Sequence, residues 1–225
     1  MRMSDAGKKH LMDFEGVIRR VYDDLAGSAE KRRGIVSCYD PSIVGTPTIG
    51  VGHVVYHTGS WHRDECDRFK EFFRDGRDMT DKEVMDLLSE DLPKYENYVN
   101  RDLKVGISQK QYDALVHMVF NTGPNASAFK KALQLTNEKK FAEAAEAIRN
   151  GPQKSKGKLL QGLVRRRNFE ADLYLEGANQ NPLIAMISSG PLSKPAFWIT
   201  LLAVGGIGTW AYFNWDFVKE KLELE

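Results

Sequence analysis

The sequence predicts an α+β fold, mainly α. A small β-hairpin lobe sits beside a larger helical lobe, and one further helix near the C-terminus is suited to a membrane. Three observations predict this. Two capping boxes, Thr80-Asp81-Lys82-Glu83 and Ser108-Gln109-Lys110-Gln111, each open an apolar-periodic stretch. A short β-type run, Thr48-Ile49-Gly50-Val51-Gly52-His53, is cut by two glycines. Residues 196–213 contain no charged side chain.

Composition sets the frame. With 225 residues, 42% hydrophobic and 28% charged, the chain suits one well-filled soluble domain plus an appendage. A formal charge of +1 gives no global case for nucleic acid or an acidic partner. The two cysteines, Cys38 and Cys66, are too few for a disulfide framework and match no metal spacing. Free thiols are the default expectation, and a disulfide from the hairpin to the following loop stays open for an oxidising compartment. Residues 1–9 are polar and lack an apolar stretch, so no secretory signal peptide is expected.

In chain order, residues 8–14 read as a short helix with Leu11, Met12 and Phe14 apolar, ended near Gly16. Residues 25–47 are longer than a tight hairpin needs. Their β-leaning Ile35-Val36-Ser37-Cys38-Tyr39 predicts one or two extra strands. Residues 54–79 read as a solvated loop with a short helix near 68–73. The Thr80 box starts a helix with an apolar stripe through Val84, Leu87, Leu88, Leu92 and Tyr95, and Pro93 should kink it. The Ser108 box starts the least polar helix of the soluble part, the expected centre of the core. Shorter helices follow at 129–135 and 138–149, the latter with Phe141, Ala145 and Ile148 inward. A last helix spans about 160–176, closed by Gly177.

The candidate chemistry begins with carboxyls. Glu15 follows the first apolar segment, Asp24 lies nine residues later, and Asp40 sits in Tyr39-Asp40-Pro41. A carboxyl shielded on one side by an apolar helix, with a second on a wetter hairpin, gives the two environments that glycoside hydrolysis uses. The plain alternative is a surface acid at a helix end beside a bent strand.

Taken in order, Phe14-Glu15-Gly16, Tyr22-Asp23-Asp24-Leu25 and Gly45-Thr46-Pro47-Thr48-Ile49-Gly50-Val51-Gly52-His53 resemble the phage-type lysozymes. In these muramidases a Glu, an Asp and a Thr line the cleft. The runs Tyr112-Asp113-Ala114-Leu115 through Phe120-Asn121-Thr122-Gly123 and Leu163-Val164-Arg165-Arg166-Arg167 fit the same family, so the resemblance covers about residues 8–177. It implies a lysozyme-like fold and hydrolysis of the β-1,4 bond between N-acetylmuramic acid and N-acetylglucosamine in peptidoglycan. Glu15 would be the acid, Asp24 the base or charge stabiliser, and Thr48 the holder of the attacking water. Asp24 keeps the family's Tyr-x-Asp setting. Asp40 lies nearer Thr48 in an Asp-Pro context the family also shows, so both stay open, with Asp24 preferred because a helix end fixes its distance from Glu15.

The resemblance also implies that His53 pairs with Asp91, which falls on the inward stripe of the helix after Thr80 and needs a partner there. Phe120 and Asn121 would face the sugar cleft, although Phe120 also suits a core. His53, His57 and His62 could suggest metal, but no HExxH or Cys/His cluster accompanies them. Neither metal nor cofactor is expected. Lys154, Lys156, Lys158 and Arg165-Arg166-Arg167 read as a solvated basic face, or as an attraction for anionic wall polymers. No aromatic platform interleaves this tract, which argues against nucleic acid.

The expected organisation is a lysozyme-like domain at 1–178, a linker at 179–195, a transmembrane helix at 196–215 and a charged tail at 216–225. Eighteen uncharged residues at 1.5 Å each span about 27 Å, near the roughly 30 Å hydrocarbon core. Trp198, Trp210, Tyr212 and Trp215 stand towards the ends. Membrane lipid is thus the second expected partner, beside peptidoglycan. The expected location is a host inner membrane or a virion, with action on the periplasmic wall. Rival readings are a lytic transglycosylase using Glu15 alone and a wall-binding scaffold held at the membrane.

Overall fold

Ser4 starts the first helix: its hydroxyl accepts the Gly7 N–H at 3.0 Å, and α1 runs Asp5–Glu15, one turn longer at its start than the apolar pattern indicates. This is a computed structural model in which residues 1–55, 63–155 and 157–179 are described. The chain divides into two units, Met1–Ala185 and Met186–Glu225, and every described residue lies in the first. Gly16 ends α1 directly after Glu15. Its φ of 79° needs a glycine, and its N–H returns to the Met12 carbonyl at 2.8 Å.

Strands β1 (Ile18–Asp23), β2 (Pro47–Gly50) and β3 (His53–Val54) form an antiparallel sheet in that order. Ile18 pairs with Gly50, Tyr22 with Thr48, and Ile49 with His53. Gly50 and Gly52, both at positive φ, make the β2–β3 turn.

Between β1 and β2 the expected extra strands are absent from the described residues. Instead Gly27 and Gly34 bracket a helix, α2 (Ser28–Arg33). The reason lies in its residues: Ala, Glu, Lys and Arg are helix formers, and the polar run offers no alternating apolar face for a sheet. Ile35 and Cys38 are then buried singly. Ile35 donates its N–H to the Val21 carbonyl at 2.9 Å. Cys38 forms a disulfide with Cys66, 28 residues on, which corrects the expectation of free thiols. Closing a loop of that length is worth about 3–4 kcal/mol in the chain-entropy picture.

Cys66 lies on α3 (Arg63–Arg68), followed by a 3₁₀ turn at Lys70–Phe72, so the short helix forms earlier than expected. His57, Trp61 and His62 fall outside the described residues. Both capping boxes form. Thr80 opens α4 (Asp81–Asp91) and Ser108 opens α6 (Gln109–Thr122). Pro93 is the first residue of a separate helix, α5 (Pro93–Asp102), where its missing N–H costs nothing. Residues 111–119 of α6 are all buried, and α6 packs against α1, α5, α7 (Ser127–Asn137) and α9 (Gln161–Asn179). Helix α8 (Phe141–Arg149) buries Phe141, Ala145 and Ile148, as its pattern indicates.

A small hairpin, β4 (Lys154–Ser155) with β5 (Lys158–Leu159), precedes α9. Gly177 does not stop α9. A Cβ there would strike the Ser108 hydroxyl and the start of α6, so this glycine serves close packing between α6 and α9. Among the described residues no helix is long and apolar enough to cross a membrane. The expected span at 196–215, the tail at 216–225 and all but the first residue of the linker at 179–195 lie outside those residues.

Candidate active site

Glu15 projects from the end of α1 and keeps 27% of its side-chain surface exposed. The expected shielding by an apolar helix face is not its main environment. Arg166 Nη1 donates to Glu15 Oε1 at 2.5 Å, and the same guanidinium lies 5.5 Å from the Phe14 ring. Arg166 also donates from Nε to Glu170 Oε1 at 3.1 Å, and Arg167 Nη2 reaches that oxygen at 2.9 Å. Arg167 Nη2 further donates to Asn121 Oδ1 at 2.9 Å. A polar chain therefore runs Asn121–Arg167–Glu170–Arg166–Glu15. Arg167 and Glu170 have no exposed side-chain surface, and Arg166 keeps 4%. Burial pushes the Glu170 carboxyl up to about 7, against the pull of Arg167 and Arg166.

The hairpin supplies a second set. Thr46 N–H donates to Asp24 Oδ1 at 2.6 Å, while Asp24 N–H and Thr48 Oγ1 both donate to the Thr46 carbonyl, at 3.2 and 2.9 Å. The backbone of Thr46 thus joins Asp24 to Thr48. Asp24 is exposed and Thr48 buried. Asp23 beside it is buried. Burial raises its pKa, but the N–H groups of Val44, Leu25 and Gly45, with the charge of Lys31, outweigh burial and hold it below the usual value. Gly45 passes so close that a Cβ would overlap the carboxylates of both aspartates.

A cleft of about 450 Å³ opens at Glu15, lined by Tyr22, Lys31 and Arg32 and by Gly50, Val51 and Gly52. Thr48 is the ladder partner of Tyr22, yet neither Thr48 nor Asp24 lines this cleft directly. Beneath the hairpin, His53 Nδ1 stands 3.0 Å from both Asp91 oxygens, clamping β3 to the end of α4. Their side chains are 15% and 20% exposed. Glu65 approaches His53 Nε2 at 3.7 Å. Among the described residues no group of three or more His, Cys, Asp or Glu side chains could hold a metal ion.

The family model for phage lysozyme matches residues 12–170. The chain belongs to the phage lysozyme family. The endolysin of Bacillus phage PZA is 32% identical over 181 residues, 80% of this chain and 58% of that protein. The endolysin of Bacillus phage B103 is 35% identical over 103 residues, 39% of its length. The chain thus spans well under two thirds of these two relatives. The endolysin of Salmonella phage P22 is 34% identical over 131 residues, 58% of this chain and 81% of that protein. Among solved structures, a P22 lysozyme mutant superposes with a TM-score of 0.57 at 28% identity, covering 78% of this chain and 99% of its own. The muramidase domain of SpmX from Asticaccaulis excentricus superposes at 0.53 with 27% identity, covering 77% and 97%.

Within this lysozyme fold the remaining site residues fall as follows. Asp40 accepts the Ser42 hydroxyl and N–H at 2.6 and 2.9 Å in an exposed turn. Phe120 is half-buried, its ring 4.5 Å from that of Tyr95, and belongs partly to the core. Asn121 is exposed and tied to Arg167. Contrary to the solvated basic face that the sequence predicts, α9 turns Arg166 and Arg167 inward, where Glu170 answers them. Sequence reasoning missed this cluster. Its signal was present, since Glu170 stands four residues after Arg166 and three after Arg167, on one helical face.

Proposed function

We propose that the chain is a muramidase that hydrolyses the β-1,4 bond between N-acetylmuramic acid and N-acetylglucosamine in peptidoglycan. The observation that carries the reading is Glu15, held by Arg166 and lining a cleft that the glycine turn of the hairpin also lines. Glu15 donates the proton to the leaving oxygen. Arg166 binds Oε1 and leaves Oε2 for the substrate. Asp24 acts on the opposite face of the sugar, and Thr48, linked to it through Thr46, holds the attacking water. A water between two separated carboxyls is the inverting arrangement. Phe120 and Asn121 bind the glycan from the helical lobe. His53 and Asp91 keep the hairpin seated on α4.

In the same proposal residues 1–178 are the catalytic domain, and residues 196–215 anchor it to lipid through the linker 179–195, with 216–225 as a charged tail. The enzyme then works on the cell wall from a host inner membrane or a virion. No metal or cofactor enters the chemistry.

The test uses purified peptidoglycan and chemical analysis of the released ends. Wild-type protein should release reducing muramic acid, and Glu15→Gln should lower the rate by about 10²–10⁴-fold with its fold intact. Near-normal lysis by Glu15→Gln would sink the mechanism. Anhydro-muramic products would mark a transglycosylase, and binding without new ends would mark a scaffold.

A further inference from the structure

Helix α2 walls the cleft beside Glu15, and it does so with two cations. Lys31 and Arg32 line the cleft together with Tyr22, yet α2 buries none of its own residues in the core. Its position is fixed nonetheless. Just after it, Ile35 donates to the Val21 carbonyl, and Arg74 donates from Nε and Nη2 to the Gly34 carbonyl at 3.0 and 2.8 Å. The Cys38–Cys66 disulfide and the Asp23 carboxylate, which takes the Val44 and Gly45 N–H groups, hold the rest of the segment. Neighbouring arginines are engaged: Arg19 pairs with Asp81, and Arg20 with Asp78. Among the described residues Lys31 and Arg32 form no salt bridge. Lys31 Nζ stands 5.7 Å from the Tyr22 ring, and Arg32 is exposed. A pinned segment thus presents to the cleft at the acid two cations outside any salt bridge among the described residues, of which Lys31 also acts on the Asp23 carboxylate at longer range.

We propose that Lys31 and Arg32 form an anion subsite that takes carboxylates on the substrate, next to the bond that is cut. The inference rests on the muramidase reading and adds a selectivity to it. A glycan strand whose peptide stems bear free carboxylates brings the matching charge, and a strand with amidated stems does not. The contact is solvent-exposed, so each ion pair is weak and salt-sensitive. The competing role is structural, with Lys31 serving only to offset the buried Asp23 carboxylate. That role changes stability and leaves the choice of substrate alone.

The experiment compares two preparations of one peptidoglycan, freed of phosphate polymers so that stem carboxylates are its anions. One is native and the other is amidated with carbodiimide and ammonia. Full-length wild-type protein should cleave the native form with a kcat/KM about fivefold higher, the combined size of two exposed ion contacts. The preference should appear in KM and shrink with added salt. In the double variant Lys31→Gln/Arg32→Gln the ratio should fall to about one, and in Lys31→Arg/Arg32→Lys it should persist. Equal cleavage of both walls by wild type overturns the proposal, as does an undiminished ratio in a folded double variant. Should the double variant not fold, the wild-type comparison still decides. Should wild type release no ends from either wall, the muramidase reading fails by itself. Co-sedimentation of the Glu15→Gln protein then tests the subsite: preference for native wall supports it, and equal binding overturns it.

Discussion

Arg166 Nη1 donates to Glu15 Oε1 at 2.5 Å, joining the last helix of the described chain to the first across 151 residues of sequence. Its Nε simultaneously holds Glu170 at 3.1 Å. One guanidinium thus serves two carboxyls from different edges, which an ammonium point charge cannot reproduce. Because Arg166 is 4% exposed, Arg166→Gln should lower unfolding stability by about 3–5 kcal/mol at pH 8, measured in urea. Arg166→Lys should recover only part of that and should remain impaired in wall hydrolysis. A loss below about 1 kcal/mol for the Gln variant would show that the network does not hold α9 to α1.

The aspartates separate by their surroundings. Asp24 is coupled to Thr48 through the backbone N–H and carbonyl of one residue, Thr46, whereas Asp40 is occupied in a turn with Ser42. Asp24→Asn should therefore reduce peptidoglycan hydrolysis by about 10²–10⁴-fold. Asp40→Asn should stay within a few-fold of wild type, since it loses only local turn bonds. Steady-state rates on one wall preparation decide the matter, and the reverse order would reassign the base to Asp40.

Much of this arrangement was legible in the residues. Two capping boxes gave α4 and α6 their starts because the cap chemistry is local. The burial of Tyr112, Ala114, Leu115, Val116, Met118 and Val119 follows from their apolar side chains, whereas Gln111, Asp113 and His117 are buried among them by tertiary packing, Asp113 and His117 with partners on the first helix and its cap. Glu15, Asp24, Thr48 and His53 stood out as candidates through the resemblance to the phage-type lysozymes. What stayed hidden depended on tertiary partners. Residues 28–33 are helical although the segment after them leans towards strand, because glycines bracket a run of helix formers. The Cys38–Cys66 bond depends on a meeting of the turn after α2 with helix α3 that no local pattern encodes. Arg166 and Arg167 read as surface because cations usually are. Only the packing of α9 on α6 turns them inward.

Burial sets a pH dependence through His117. It has no exposed surface, and its Nε2 lies 3.0 Å from the Gly7 carbonyl. Burial first, then the charge of Arg166, lowers its pKa to about 3 despite the Gly7 bond. Between about 3 and 6.5 the unfolded chain binds the proton and the folded chain does not, so stability falls as pH drops through that window. His117 contributes up to about 1.4 kcal/mol per pH unit to this slope. Glu170, pushed up to about 7, acts in the opposite sense between 4.5 and 7, so wild type shows only the difference. Asp23, held below 3.8, loses its contribution only at lower pH. Urea unfolding of wild type and His117→Gln at pH 4.5, 5.5 and 6.5 isolates the His117 share. The variant should lose less stability on acidification, and parallel curves would refute the assignment.

The tail yields the last prediction. If no leader exports it, a span at residues 196–215 would leave the catalytic domain before it in the cytoplasm, on the wrong side of the membrane from peptidoglycan. Three arrangements reconcile the two. Another protein opens the membrane, the enzyme travels in a virion, or the span leaves the bilayer by itself. Gly205, Gly206 and Gly208 reduce the apolar surface offered to lipid, and the 20 residues of 196–215, about 30 Å as a helix, only just match the hydrocarbon core. Both features favour a weakly held span. The full-length protein should therefore fractionate with membranes, and residues 1–178 should stay in the supernatant while still cleaving purified peptidoglycan. Substituting leucine at the three glycines should strengthen retention of the full chain against carbonate extraction, because each adds apolar side chain to the lipid face. Full-length protein that stays wholly in the supernatant, without detergent or lipid, would rule out the anchor.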